Sequence, residues 1–464
     1  MNIVRAVMVP HPPILLPAVG RGEEKKIAAT TAAYEQAAGF IRQAKPDTIV
    51  VLTPHSVLYR DYFHISPGES ASGSFAQFGA PGVKLSVRYD APFVRALERA
   101  AAAEKLSAGT LGERDRTLDH AAMIPLWFLQ NAYQGEPLPP VVRIGLSGLP
   151  LTEHYRLGML LSRTAEQLSR RVCVVASGDL SHRLKPDGPY GFRAEGPQYD
   201  RRIMDVMGRA SFGELFDFPE TFCETAGECG HRSFTIMAGC FDGLDVTAEK
   251  LSYEGPFGVG YGVCLFTPGG ENPSRRFYDA ELLRRQEEQE TRRSKEDEYV
   301  RLARLAVETY VRTGKTAEIP EGTSPELLNR RAGAFVSLHL DGELRGCIGT
   351  ISAVQSCLAK EIVRNGISAC SEDPRFPAVT REELPGLVYS VDVLGDAESI
   401  ASPAELDVKK YGVIVTRGYR RGLLLPDLEG VDTVEQQIGI AKKKAGIRPE
   451  EAVSLERFEV VRHV

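Results

Sequence analysis

The sequence predicts an α/β unit with a mainly parallel, mixed sheet, followed by a smaller α+β unit. Three observations carry this. Short β-branched apolar runs alternate with helical spacings through the first part of the chain, the pattern of a sheet covered by helices. The 464 residues exceed what one ordinary core encloses. The composition also changes abruptly after Phe266, where TPGGENPS breaks the pattern and a stretch dense in Arg and Glu follows.

The elements follow in order. Residues 3–9 form a short apolar strand, and residues 23–44 show helical spacing that ends before Pro46. The run TIVVLT at 48–53 is apolar on both faces, so it predicts a fully buried strand. Residues 69–81 are rich in Gly, Ser and Ala and read as a mobile loop. Strand-like runs recur at 83–89, 141–146, 172–176, 246–253 and 260–266, with helical spacing at 92–104, 121–132 and 152–170 between them. These place a first domain at 1–270. Residues 271–298 read as a charged helical linker, solvated rather than core-forming. A second domain is expected at 299–464, opening with an amphipathic helix and continuing through Gly-punctuated strands.

Composition narrows the classes. Charged residues make up 25% and the formal net charge is −6, which speaks against a general nucleic-acid binder. No apolar run reaches the ~20 residues a membrane span needs. The start, MNIVRAVMVPHPP, is a poor signal peptide because Arg5 and Pro10 interrupt it. Eight cysteines without a C-x-x-C pair fit a reduced, cytoplasmic protein.

Histidine placement carries the chemistry. His11, His55 and His182 each lie just past a predicted strand, and so does Glu254; His120 opens a predicted helix. Ligands of open α/β sheets gather beyond the carboxyl ends of the strands. A single histidine there is usually a hydrogen-bonded structural residue, but several at equivalent strand ends point to one shared site. Two imidazoles and a carboxylate suit Fe(II), leaving positions open for substrate and dioxygen. The same set also serves catalytic zinc, so both metals stay open. Asp179, in SGDLSH, orients the loop or His182, or else caps the following turn. The segment CETAGECGH at 223–231 matches no common structural zinc spacing and reads as a loop before a helix. Phosphate-loop, dinucleotide and hydrolase-elbow patterns are lacking.

The pieces PHPP at His11, TPHS at His55, Asp119–His120 and SGDLSH make residues 1–268 resemble the class III extradiol ring-cleavage dioxygenases (LigB-like), and more distantly the Memo proteins. The resemblance implies His11, His55 and Glu254 as metal ligands, with Glu224, Glu228 and Glu195 as substitutes for the third. Memo-type relatives carry a cysteine there, and matching Glu254 to that place favours the iron branch. It further implies Fe(II), a catechol-type or other aromatic substrate, His182 as acid–base group and His120 holding or stabilising the substrate oxygen. A metal-dependent hydrolase using zinc, and a non-catalytic metal-binding interaction protein of the Memo type, are the alternatives.

In the second domain LRGCIGT at 344–350 sets Cys347 between two glycines, which would leave a thiol accessible; a structural thiol in a strand–turn is the simpler reading. With EDPRFPAVT at 372–380 and the later ELP, residues 299–464 resemble the AMMECR1 domain. That implies an α+β fold with a cleft, for which Arg345, Gly346, Cys347, Asp373, Arg375 and Phe376 are the candidate residues. Arg345 and Arg375 would fix an anion or pair with Asp373. The full chain is similar to fused proteins of the AmmeMemoRadiSam type. That likeness implies a radical-SAM partner protein, a small aromatic or peptide substrate, and a homodimer.

Overall fold

A computed structural model describes residues 2–464 apart from Arg116, Asp341, Glu382 and Glu429. The chain divides into two compact units, Met1–Arg284 and Arg285–Val464. The helix Phe277–Lys295 runs through that boundary, and its Arg- and Glu-rich surface is mostly exposed.

The first unit is built on a six-stranded sheet in the order Val141–Gly145, Thr48–Thr53, Val172–Ser177, Ile3–Val9, Tyr261–Glu271, Leu244–Glu254. The first four strands are parallel; the last two join antiparallel. Burial on both faces explains the unbroken apolar run at 48–53. Val50 and Leu52 pack into one core with the helices Ala91–Ala103, Leu151–Gln167 and His231–Gly239. Ile49 and Val51 pack into the other, with the helices Ala28–Gln43 and His120–Tyr133. Among the described residues no helix is long and apolar enough to cross a membrane.

One expectation is corrected. Residues 69–81 are not a loop: Ser70–Phe75 pairs antiparallel with Ala80–Arg88, from Ser70 opposite Arg88 to Phe75 opposite Ala80. The fully buried Phe75 ring anchors a strand that its Gly/Ser/Ala composition hides.

The second unit holds an antiparallel sheet in the order Glu343–Gly349, Ala334–Leu340, Val388–Leu394, Ser454–His463, Tyr411–Arg417, Arg420–Leu424. The helices Glu298–Thr313 and Leu358–Ser371 pack on the face presenting Val336, Leu338, Val391 and Val393. Strand alternation turns Phe335, Ser337, Ser390 and Asp392 to the opposite face.

Candidate metal centre

The parallel strands deliver their following residues to one edge of the sheet. His11 follows Ile3–Val9 and His55 follows Thr48–Thr53, while the strand between them, Val172–Ser177, leads into Asp179 and His182. His120 is the first residue of the helix His120–Tyr133. One ligand atom from each of His11, His55 and His120 lies within 4.8 Å of the others, and the ring centroids are 4.6–5.4 Å apart. Asp119 ties two of these residues together. Its Oδ1 accepts the Ala122 amide at 2.9 Å, capping the helix that begins at His120, and also the Thr53 hydroxyl at 2.6 Å. The Thr53 oxygen accepts the His55 amide at 3.3 Å.

The hydrogen bonds of His11 fix its tautomer. The Ser177 hydroxyl donates to the Ala121 carbonyl at 2.7 Å, so its oxygen accepts from His11 Nδ1 at 3.0 Å. Nδ1 therefore carries the proton and Nε2 keeps a free lone pair, the arrangement of a metal-ligating histidine held by a neighbouring polar group. Burial first, and then the nearby imidazoles His55, His120 and His182, hold the His11 pKa well below the ordinary value. Burial, reinforced by His55, pushes both His120 and His182 down to about 4, and burial lowers His55 as well. The three neutral imidazoles of His11, His55 and His120 form a donor set for a metal cation, so the residues fit one.

Two findings revise the expected ligand set. Glu254 does not join the histidines. It ends the strand Leu244–Glu254, two strands beyond Ile3–Val9 in the sheet and hence ~10 Å to the side. Its Oε2 accepts both the Thr30 amide and the Thr30 hydroxyl at 2.7 Å. In its stead the third member of the group is His120, expected to hold the substrate oxygen; Cys229 lies beside it, with Sγ 3.6 Å from His11 Nε2. Burial, with Asp179 and Glu228 nearby, raises this thiol's pKa well above its ordinary value. The segment 223–231 is only partly a loop: residues 223–226 end the helix Glu220–Ala226, residues 227–230 connect, and His231 opens the next helix; its Cys229 meets a residue far away in sequence. That long-range role leaves no trace in local spacing. A cysteine followed by glycine just before a helix was the only signal available.

Asp179 serves His11 rather than His182. Its Oδ1 accepts the His11 amide at 2.7 Å, and Oδ2 lies 3.9 Å from His11 Nε2. Burial raises its pKa to about 7. The Asp179 amide donates to Cys229 Sγ, and the Cys229 amide to the Asp179 carbonyl. The two loops meet glycine to glycine: a Cβ on Gly178 would lie 2.1 Å from the Gly230 Cα. His182 stacks on Tyr190, centroids 5.1 Å apart. Glu228 caps the helix His231–Gly239 through the His231 amide, and Glu224 and Glu195 are likewise outside the ion-holding group. Beyond His55 and His120 opens a pocket of about 600 Å³, lined also by His64, Phe78, Asp119 and Arg143. The buried Arg143 guanidinium donates to Ser66 Oγ and to the Thr117 carbonyl and faces Asp119 at 3.7 Å.

In the second unit a cleft of about 1400 Å³ is lined by Cys347, Asp373 and Arg375. Arg345, Gly346 and Phe376 are not part of its lining. Arg345 is held by Glu383 at 2.7 Å and by the Pro377 carbonyl, so it is a structural pair rather than a free anion binder. Arg375 pairs with Asp373 at 2.7 Å, and Asp373 Oδ2 also accepts the Cys347 amide. The Phe376 ring lies within 6 Å of both guanidinium groups, at 5.9 Å from Arg345 and 5.4 Å from Arg375.

An α/β sheet with a histidine cluster at its carboxyl edge defines a protein able to hold a metal ion there. Comparison with known proteins agrees. A family model described as the catalytic LigB subunit of aromatic ring-opening dioxygenase matches residues 5–264, and the AMMECR1 model matches residues 300–463. The chain belongs to the LigB family and carries an AMMECR1 domain behind it. A protein of Clostridium acetobutylicum is 40% identical over 471 aligned residues, covering 100% of this chain and 99% of that one. A Thermotoga maritima protein is 54% identical over 36% of this chain and 98% of its own length. Among solved structures, an uncharacterized protein from Pyrococcus horikoshii matches 35% of this chain and 88% of its own, at 35% identity and TM-score 0.34.

Proposed function

We propose that the first unit is a mononuclear non-haem metal enzyme, binding Fe(II) and oxidising a small aromatic substrate with catechol-type hydroxyls, free or carried on a peptide. The observation that supports it most is the free lone pair of His11 Nε2, set by Ser177 and facing His55 and His120. His11, His55 and His120 would hold the ion, with Cys229 at hand beside His11. When bound, the ion would supply Lewis acidity and a path for electrons from the diol to dioxygen. The chain's own residues do the rest. Neutral His182 accepts a substrate hydroxyl proton at its free ring nitrogen. Phe78 and the walls of the 600 Å³ pocket orient a flat ring, and Arg143 with Asp119 supplies its polar end.

The Cys229 thiol favours a second reading. A sulfur donor beside imidazoles suits zinc, and with it either a hydrolase or a metal-binding interaction protein of the Memo type. One experiment separates the two: anaerobic purification, metal analysis, and oxygen uptake with a panel of catechols. About one iron per chain with diol-dependent oxygen consumption supports the first reading; bound zinc with no oxygen uptake overturns it. A radical-SAM partner and a homodimer belong to the same proposal. Co-elution with such a protein and the solution mass by light scattering test them.

A further inference from the structure

The cleft of the second unit is the largest cavity described, and the chemistry proposed for the histidine cluster does not use it. Its floor is the sheet face turned away from the helices, where Ser337 and Cys347 lie side by side with their Oγ and Sγ 3.2 Å apart. Cys347, like Cys229, is half-buried, while Cys173, Cys223, Cys240, Cys264, Cys357 and Cys370 are buried. Part of the wall is apolar, formed by Phe335, Leu344, Ile348, Leu423 and Leu425.

The charges are not balanced. Arg375 is neutralised by Asp373 at 2.7 Å and Arg462 by Asp392 at 2.8 Å. Arg421 reaches Glu456 at 3.0 Å, Glu296 is occupied by Arg304, and Asp427 acts on Arg462. Lys444 differs. It ends the helix Val434–Lys444, and its neighbour Lys442 donates to the Pro449 and Glu451 carbonyls. Lys444 has no hydrogen-bond acceptor and no ion-pair partner among the described residues, yet it lines the cleft close enough to act on Cys347 and Arg375. Lys444 is solvent-exposed on the cleft side of its helix end. An ammonium without an ion-pair partner, beside an apolar wall, is a place for an anion with an apolar body.

We infer that this cleft binds an organic carboxylate, its acid group on Lys444 and its chain against Phe335 and Leu423, beside the Cys347 thiol. The acid group gains the charge-assisted hydrogen bond that Lys444 lacks. The chain covers apolar surface at ~25 cal/mol per Å². Arg375, fixed by Asp373 and donating to the Cys347 carbonyl, braces the thiol instead of holding the anion. The inference does not depend on the metal centre.

Alkylation of the full-length chain tests it. In both reagents the thiolate sulfur displaces iodide, but iodoacetate is an anion and iodoacetamide is neutral. Modification of Cys347 is followed by peptide mass spectrometry, and the rate ratio of iodoacetate to iodoacetamide is compared with that of the unfolded chain. The folded protein is expected to raise this ratio roughly three- to tenfold, the effect of one partly screened positive charge. Lys444→Gln should return it to the unfolded value. In the unaltered protein, octanoate should slow alkylation of Cys347, while inorganic phosphate and propionate at the same concentration should have little effect. A ratio unchanged in the folded protein, or unchanged by Lys444→Gln, overturns the charge assignment. Equal protection by phosphate and octanoate, or none by octanoate, overturns the organic carboxylate even if the variant does not fold.

Discussion

Replacing Glu254 separates a structural carboxylate from a metal ligand. Its Oε2 accepts two hydrogen bonds of 2.7 Å from Thr30, one from the amide and one from the hydroxyl. Thr30 is the third residue of the helix Ala28–Gln43, so its amide is one of the donors that a helix start leaves without an internal partner. Hydrogen bonds to a charged acceptor contribute about 1.5–3 kcal/mol each when buried. Glu254 is only partly buried, so the pair is discounted to about 2 kcal/mol in total, with roughly 0.5 kcal/mol more from the charge at the helix start. Glu254→Ala should therefore destabilise the first unit by about 2–3 kcal/mol, a fall of roughly 5–10 °C in its melting transition. Glu254→Gln, which keeps an acceptor but loses the charge, should cost about half as much. Calorimetry reads the transition, and elemental analysis of the same samples should show unchanged metal content. Loss of metal from Glu254→Gln with no change in melting would refute the reasoning and restore the carboxylate to the ligand set.

Further outcomes follow from the same geometry. Ser177→Ala frees the His11 tautomer and should weaken metal binding ~10–100-fold, measured by competitive chelation. Cys229→Ser should abolish the thiolate-to-metal charge-transfer absorption of the cobalt-substituted protein; an unchanged spectrum would remove Cys229 from the site. His154 is fully buried against Phe63, and burial pushes its pKa down to about 3. The unfolded chain therefore takes up a proton near the ordinary pKa of ~6.5, which the folded chain refuses. This group's contribution is fully present above that value and is lost as pH falls from it toward about 3. Between pH 7 and 5 the loss is about 2 kcal/mol, and His154→Leu should flatten urea-unfolding stability over that interval by this amount.

Most of the fold is legible because burial leaves periodic traces. The run TIVVLT announces a strand covered on both faces, and helical spacing marks the segments that cover it. His11 and His55 are legible for a topological reason: parallel strands bring their following residues to a common edge, which the helix opening at His120 also reaches. Glu254 obeys the same rule at the wrong lateral position, since strand order in a sheet is not written in local periodicity. Cys229 is hidden for a related reason. Its partner His11 lies 218 residues away, and the loop that presents it has no unusual spacing. The hairpin Ser70–Phe75 with Ala80–Arg88 is masked by small residues that carry little strand preference.

The back-to-back approach of Gly178 and Gly230 has an evolutionary and practical corollary. Two loops that each set a side chain against His11 rest on one another with no side chain between them, so a single methyl at either position would displace Asp179 and Cys229 together. Damage to this centre can thus arise from positions that offer no ligand at all. A survey restricted to ligating residues would miss such lesions, and a designer seeking to retune the pocket should treat those two backbone positions as fixed points.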